Sequence, residues 1–135
     1  MPTTRLDLPF SRPPLNLNDS PSVSRGARMA RNNAIQNIRD TAYWIAHQHK
    51  LPRGLSHVTI QLHYQPKTKR NTDAINLCAT QKALVDGLIG TPQKPGYGLA
   101  PGDDSRYVTD LMPVIHPAVK GQPGRLWLVL TWNTP

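Results

Sequence analysis

The sequence contains no glutamate, a single cysteine, a single phenylalanine and no long apolar run. One thiol, Cys78, excludes an intrachain disulfide framework and a thiolate metal site, and it suits a reducing cytoplasm. The longest apolar run, Leu126–Leu130, has the length of a strand and is too short to span a membrane, and Met1–Arg5 lacks the apolar core of a signal peptide. We therefore expect a cytoplasmic protein with no membrane partner.

The charges are unevenly distributed along the chain. All eight acidic residues are aspartates. Residues 1–70 carry eleven Lys/Arg against three Asp, a net charge of +8, whereas residues 71–135 carry five of each sign. A basic segment of this size attracts polyanions, and nucleic acid is the partner that it favours over a merely basic surface. The five carboxylates of the neutral half are candidates for placed functional groups.

A chain of 135 residues has the length of one domain, which we expect to extend over residues 1–135. Hydrophobic periodicity and helix-breaking residues predict six elements in the order strand, helix, strand, helix, strand, strand. These are Leu6–Phe10, a helix from Ser22 or Ser24 to about His49, Val58–Tyr64, a helix over about Ala74–Ile89, Tyr107–Ile115 and Leu126–Trp132. This order predicts an α+β fold with a mixed sheet of about four strands and two main helices. Apolar residues on both faces of the last strand predict a central position for it, with both faces covered.

The second predicted helix carries a stripe of residues at the margin of its apolar face. Projection at about 100° per residue places Ile75, Ala79, Lys82 and Asp86 in this stripe. A helix margin is where side chains meet a cleft, so Lys82 and Asp86 are candidate catalytic residues. The alternative is a simple salt bridge between residues four apart.

Three further aspartates flank this helix. Asp73 precedes it, and Asp103 and Asp104 follow the Pro/Gly-rich loop Thr91–Gly102. Taken alone, Asp73 is explained equally well as a helix N-cap as by a functional role. The Asp103–Asp104 pair, taken alone, could simply form a turn. Together with the basic turn before the helix, however, these carboxylates predict a magnesium-dependent phosphodiesterase, in which carboxylates hold the cation and basic side chains hold the phosphate.

Two groups of basic residues are candidates for DNA contacts. The turn contains Lys67, Lys69 and Arg70. Arg25, Arg28 and Arg31 recur three residues apart near the start of the first helix, where they either contact backbone phosphates or form a solvated helix face. His57 and His63 lie on the polar face of one strand, six residues apart, and are too distant to share one metal ion; we expect surface histidines.

The acidic segment resembles a known family. It reads Asp73-Ala-Ile-Asn-Leu-Cys-Ala-Thr-Gln-Lys82-Ala-Leu-Val-Asp86-Gly-Leu and is followed by Asp103-Asp104-Ser-Arg-Tyr-Val. This pattern is similar to that of the RusA family of Holliday junction resolvases, often encoded by phages and prophages. The opening Leu6-Asp-Leu-Pro-Phe10 and the segment Met112-Pro-Val-Ile-His116 are similar as well, so the resemblance covers nearly the whole chain.

The resemblance implies a homodimeric endonuclease that cuts branched DNA, such as four-way junctions, by paired incision. It implies Mg²⁺, or Mn²⁺, held by Asp73 and Asp104 with Asp103 beside them, and catalytic roles for Lys82 and Asp86. It adds Asn76 to the residues near the DNA. The sequence has no Gly-x-Gly-x-x-Gly or Walker pattern, so we expect no nucleotide cofactor.

One position departs from the family pattern. In an ungapped match Ile75 stands where the family has a second aspartate, and an isoleucine cannot bind a cation. A gapped match places Asn71 and Asp73 on the two aspartates, and one carboxylate is missing in either case. Three hypotheses follow: an active junction resolvase, a catalytically impaired relative that binds branched DNA, and a phage protein on this scaffold that now binds a host protein.

Overall fold

The computed structural model describes residues 2–15, 25–69 and 74–133. The described part contains five strands, two α-helices and one short 3₁₀ helix. In chain order these are β1 (Thr3–Asp7), α1 (Arg25–Gln48), β2 (Val58–Gln65), the 3₁₀ helix (Ala74–Leu77), α2 (Cys78–Ile89), β3 (Val108–Asp110), β4 (Val114–Ile115) and β5 (Arg125–Trp132).

The strands form one mixed sheet. Its order is β1-β5-β2-β3. β4 also pairs with β2, further along this strand than β3 does. β5 runs antiparallel to both of its neighbours, whereas β3 and β4 are parallel to β2. The predicted α+β class with two main helices is confirmed, and so is the central position of the last strand. The predicted covering of both its faces needs correction, because Arg125, Val129 and Thr131 on one face are exposed or half-exposed.

Three predicted boundaries need correction. The predicted strand Tyr107–Ile115 is two strands, because the chain leaves the ladder at Leu111–Pro113 and proline has no N–H to donate. The first strand is Thr3–Asp7 instead of Leu6–Phe10, since pairing ends with the Leu8 N–H to Leu126 just before Pro9. The second helix begins as a 3₁₀ helix and becomes α-helical only at Cys78. The predicted capping serines, Ser22 and Ser24, lie outside the described residues.

The core lies between the helices and one face of the sheet. Alternate residues of β2 are fully or almost fully buried (Val58, Ile60, Leu62 and Tyr64), while the residues between them are half-exposed. Burial of large aliphatic side chains stabilises such a layer by roughly 1.5–3 kcal/mol each. The sheet therefore has a buried inner face, which carries the helices, and a polar outer face.

Gly87 allows α1 and α2 to approach closely. A β-carbon at this position would collide with the carbonyl oxygen of Arg39 and would lie 2.9 Å from the β-carbon of Ala42. The crossing point therefore brings the Arg39 side chain to the residue beside Gly87, which is Asp86. α2 ends at Gly90, whose φ of 105° is unfavourable for other residues.

Within the described ranges, no helix has both the length and the apolar character needed to cross a bilayer.

Candidate active site

Lys82 and Asp86 form the central ion pair of the site. Both lie on α2, one turn apart, and Lys82 Nζ donates a hydrogen bond to Asp86 Oδ1 over 2.9 Å. The second carboxylate oxygen of Asp86 lies 3.9 Å from Arg39 Nη1. The Asp86 side chain is only 14% exposed, whereas Lys82 is 61% exposed. A buried carboxylate thus holds an accessible ammonium in place, as expected for a residue that presents positive charge to a ligand.

Asp103 joins this pair from the loop before β3. Its Oδ2 lies 3.4 Å from Lys82 Nζ, so the ammonium links carboxylates that are 17 residues apart in sequence. Although partial burial alone would lower the pKa of Lys82, the hydrogen bonds and charges of Asp86 and Asp103 outweigh it and raise that pKa. Lys82 is therefore firmly cationic at neutral pH.

Asp104 is engaged differently from its neighbour. Its carboxylate accepts two hydrogen bonds from the Arg106 guanidinium, of 3.1 and 2.9 Å, and one of 2.9 Å from the Arg106 backbone N–H. These bonds hold the pKa of Asp104 below its usual value. Adjacent aspartates thus face separate cations, Asp103 toward Lys82 and Asp104 toward Arg106. The Asp104 carboxylate would have to leave Arg106 in part to serve as the predicted metal ligand.

Asp110 is a further acidic residue of this site, and our reading of the motif missed it. It ends β3 and is paired in register with Ile60, so its side chain lies on the inner face of the sheet, toward α2. Gln81 of α2 bridges this region: its amide accepts a hydrogen bond from the Leu62 N–H and donates one to the Leu111 carbonyl, both 2.9 Å long. The buried glutamine thereby holds α2 against the carboxyl end of β3.

The electrostatic environment of Asp110 differs from that of the other aspartates. Desolvation raises its pKa, although the residue retains exposed surface; a hydrogen bond from Gln81 and the charge of Lys82 act in the opposite direction, and the charges of Asp103 and Asp86 raise it further. The net effect is a raised pKa. Lys82 contacts Asp86 and Asp103, Arg39 approaches Asp86, and the charge of Lys82 acts on Asp110 nearby; the three carboxylates and two cations carry a net charge of −1. A carboxylate whose ionised form is disfavoured is a recurrent mark of functional sites.

The described residues alone do not complete a metal site. Among residues 2–15, 25–69 and 74–133, no group of three or more His, Cys, Asp or Glu side chains is close enough to hold a metal ion. The predicted ligand Asp73 and the predicted DNA contact Arg70 lie outside the described residues. The donor chemistry of Asp103 and Asp110 nevertheless suits a hard cation, because Mg²⁺ takes carboxylate oxygens and water, and because this acidic group has an excess of negative charge.

Ile75 lies on the surface. Its side chain is 55% exposed. The stripe predicted to join Ile75 to Lys82 also needs correction, because Ile75 belongs to the 3₁₀ helix, where successive residues turn by about 120° instead of 100°. Asn76 is half-buried in the same helix.

One basic residue of the turn, Lys67, lines a cavity at the end of β2. Lys67 and Lys69 are exposed after this strand. A cavity of about 330 Å³ is lined by Ser11, Arg12, Tyr64, Pro66, Lys67, Thr68, Pro123 and Gly124. Two cations and three hydroxyl groups on one concave surface suit a phosphate. Arg12 was not among the predicted DNA contacts, because the irregular loop around it gives no periodic signal.

The three arginines of α1 do not share one environment. Arg25 and Arg28 are exposed, as both the phosphate-contact and the solvated-face interpretations require. Arg31 is half-buried, and its Nη1 is buried without a hydrogen-bond partner among the described residues. Arg31 is therefore not an ordinary solvated residue, and a group that supplies an acceptor would remove the cost of this unpaired donor.

The search against family models found no match to this chain, and the comparison with curated proteins found no significant similarity. The resemblance described above therefore depends on the quoted motif residues alone, and the function has to be inferred from the chemistry of the site.

Proposed function

We propose that this protein is a metal-dependent endonuclease that cuts four-way or otherwise branched DNA by paired incision. The observation that supports this proposal best is the contact of Lys82 with both Asp86 and Asp103, beside which β3 contributes Asp110. A simple helix salt bridge needs neither the second nor the third carboxylate. The mixed charge of the group suits a phosphodiester, whose negative oxygens need both a cationic side chain and a cation held by carboxylates.

Each residue of the group has a distinct task in this proposal. Asp103 and Asp110, with the predicted ligands Asp73 and Asp104, are the side chains that would hold Mg²⁺ or Mn²⁺. When bound, such an ion stabilises negative charge on phosphate oxygens and lowers the pKa of water. Lys82 is exposed enough to reach the scissile phosphate and neutralises the charge that develops there. Asp86 is a positioning residue, because its buried carboxylate fixes the ammonium.

The substrate class follows from the distribution of basic side chains. The whole net charge of +8 lies in residues 1–70, and Arg12 and Lys67 line a cavity beside the basic turn. Tyr64 at this cavity and Ile60 beside Asp110 lie on the same face of β2, four residues apart. At about 3.3 Å per residue they are roughly 13 Å apart, so the cavity and the acidic group are separated by less than the 34–36 Å of one turn of DNA.

The proposed reaction also requires two copies of the chain. A four-way junction has strands related by two-fold symmetry, and paired incision needs one site on each. We expect a homodimer at micromolar concentration. Light scattering that gives the 15.0 kDa mass of one chain would argue against paired incision.

The decisive experiment compares labelled four-way DNA with linear duplex of the same sequence, with and without Mg²⁺ or Mn²⁺. We expect metal-dependent cleavage of the junction, loss of cleavage in Asp103→Asn, and retained binding in that variant. Asp40→Asn is the matched control, because Asp40 is an exposed aspartate of α1 that contacts Gln36 and no residue of the acidic group. This control should cleave normally.

The alternatives predict different outcomes. Binding to the junction without cleavage at any metal concentration would indicate the catalytically impaired relative, in which Ile75 replaces an essential carboxylate. A protein that neither binds nor cleaves the junction would contradict a DNA function. This outcome would favour the third hypothesis, a phage protein on this scaffold that binds a host protein. Equal cleavage of linear and branched DNA would support nuclease activity but would refute the preference for branched DNA.

A further inference from the structure

Two histidines form a pair on the outer face of the sheet. His63 lies in the half-exposed row of β2, and His116 follows β4 directly, anchored by its backbone N–H to the Tyr64 carbonyl at 2.8 Å. His63 Nδ1 and His116 Nε2 are 2.9 Å apart. The candidate active site faces the other side of the sheet, so this pair is a separate feature. His63 is half-exposed, and its partner, which the sequence did not predict, lies 53 residues further along the chain.

The hydrogen bond between the two rings shows what each nitrogen can do. Two neutral imidazoles share one proton across such a contact, one donating and one accepting. Without this proton, both nitrogens present lone pairs toward the same small region. Two ligands that lie 2.0–2.1 Å from one ion at about 90° are roughly 2.9 Å apart, and they are about 3.3 Å apart in a tetrahedron. The observed separation therefore needs little change beyond rotation of the rings about χ2, a torsion with a broad minimum.

An aromatic ring and a balanced ion pair surround the two imidazoles. Trp127 lies nearly parallel to His63 and His116, at centroid distances of 5.4 and 5.0 Å and angles of 10° and 26°. The Arg5 guanidinium lies 4.3 Å from the centre of the Trp127 ring, and its charge is offset by Asp7 at 2.9 Å. Burial, His116 and Arg5 lower the pKa of His63, in that order, which keeps this imidazole neutral, the form that binds metals.

We propose that His63 and His116 bind one divalent transition-metal ion of the Zn²⁺ class through Nδ1 and Nε2, respectively, with water in the remaining positions. Imidazole suits Zn²⁺, Ni²⁺ and Cu²⁺ and does not suit Mg²⁺, so the proposed ligand differs from the cation of the nuclease site. The described residues add no third His, Cys, Asp or Glu ligand to this pair. The site is therefore bidentate, and its affinity should follow the order Cu²⁺ above Ni²⁺ and Zn²⁺.

Calorimetric titration of the full chain with ZnCl₂ at pH 7.5 tests this proposal. We expect one ion per chain and an affinity at least tenfold lower in His63→Gln and in His116→Gln. His49→Gln is the control, because His49 is an exposed histidine after α1 and should leave Zn²⁺ binding unchanged. Zn²⁺ affinity that is the same in the wild type and in the His63→Gln, His116→Gln double variant would refute the site.

A second measurement assigns the ligand atoms and does not depend on substitutions. In long-range ¹H–¹⁵N spectra of the imidazole rings, added Zn²⁺ should shift His63 Nδ1 and His116 Nε2 most strongly. Shifts confined to other histidines would overturn the assignment even if the protein binds zinc. Far-UV circular dichroism of the variants should remain native, since both side chains lie on the half-exposed face of the sheet.

Discussion

The Lys82 ammonium lies 2.9 Å from the Asp86 carboxylate, and the two side chains differ more than fourfold in exposure. The aspartate is held beneath the surface by α1, where Arg39 approaches its second oxygen. The lysine reaches outward and meets Asp103 as well. This pair therefore connects the packing of the two helices to the surface on which we expect the phosphate to bind.

Replacing Lys82 by alanine should affect catalysis far more than stability. The exposed partner of a helix ion pair contributes only about 0.3–0.5 kcal/mol to folding. Removal of a cation that stabilises charge in the transition state typically lowers kcat by about 10²–10³-fold. Single-turnover cleavage of a four-way junction and thermal unfolding measure the two effects. Lys94→Ala, which removes an exposed lysine bonded to the neutral amide of Gln36, should change neither. A large loss of stability in Lys82→Ala with normal cleavage would show a structural role instead.

Asp110→Asn should stabilise the fold while abolishing cleavage. The folded pKa of Asp110 is raised, so the native state pays a cost for the ionised form. A group of this kind favours folding below its unfolded pKa and loses that contribution as pH rises through the folded pKa. At neutral pH an uncharged amide removes this cost, and because Asp110 is exposed and solvent screens its charge, we expect only a small rise in the melting temperature. The gain over wild type should disappear at about pH 3, where both states are protonated. A less stable variant at pH 7 would contradict the electrostatic interpretation.

Ile75→Asp should raise cleavage without a penalty in stability. The Ile75 side chain is 55% exposed, so a carboxylate there stays solvated and avoids the cost of a buried charge. If Ile75 replaces a metal ligand, the wild type should need high Mg²⁺, and the variant should reach half-maximal cleavage at lower Mg²⁺. Ile75→Asn provides the control, because it is polar but carries no charge. Equal metal dependence in the Asp and Asn variants would exclude this position from the metal site.

Arg12→Ala should weaken junction binding and lower its dependence on salt. Arg12 and Lys67 face one cavity, and each lost phosphate contact reduces the slope of log K against log salt by about 1. The same change is expected for Lys67→Ala, whereas Lys50→Ala, which alters an exposed lysine just after α1, should leave the slope unchanged. Fluorescence anisotropy at several salt concentrations measures this slope. An unchanged slope in both cavity variants would exclude the cavity from the DNA interface.

The pair of histidines on the outer face should make stability depend on pH. The pKa of His63 is lowered below its ordinary value of 6.5 by burial and by the charges of His116 and Arg5. The unfolded chain therefore takes up a proton before the folded chain does. The contribution of neutral His63 to the stability of the folded state is fully present above about pH 6.5. It is lost as the pH falls through the pKa that His63 has in the folded state. Denaturant unfolding of His63→Gln should show a smaller loss of stability between pH 7.5 and 5 than the wild type, and His49→Gln should not.

Much of the architecture follows from local patterns in the sequence. Strict alternation predicts β2 because one face of a strand is buried, and the apolar run of β5 predicts its place between two other strands. Proline and glycine end the elements where no other residue suits the backbone, as at Pro9 and Gly90. Lys82 and Asp86 are one turn apart, so their ion pair is also a local property.

The tertiary structure alone decided which distant groups meet. Asp103 joins Lys82, and Asp104 turns to Arg106, although the two aspartates are adjacent and chemically identical. Asp110 enters the acidic group because β3 pairs with β2 in a register that places it opposite Ile60, 50 residues away. His63 meets His116 for the same reason, through the parallel pairing of β2 with β4. Periodicity reports which face of an element is buried, whereas strand order and register determine which faces come together, and these depend on packing of the whole core.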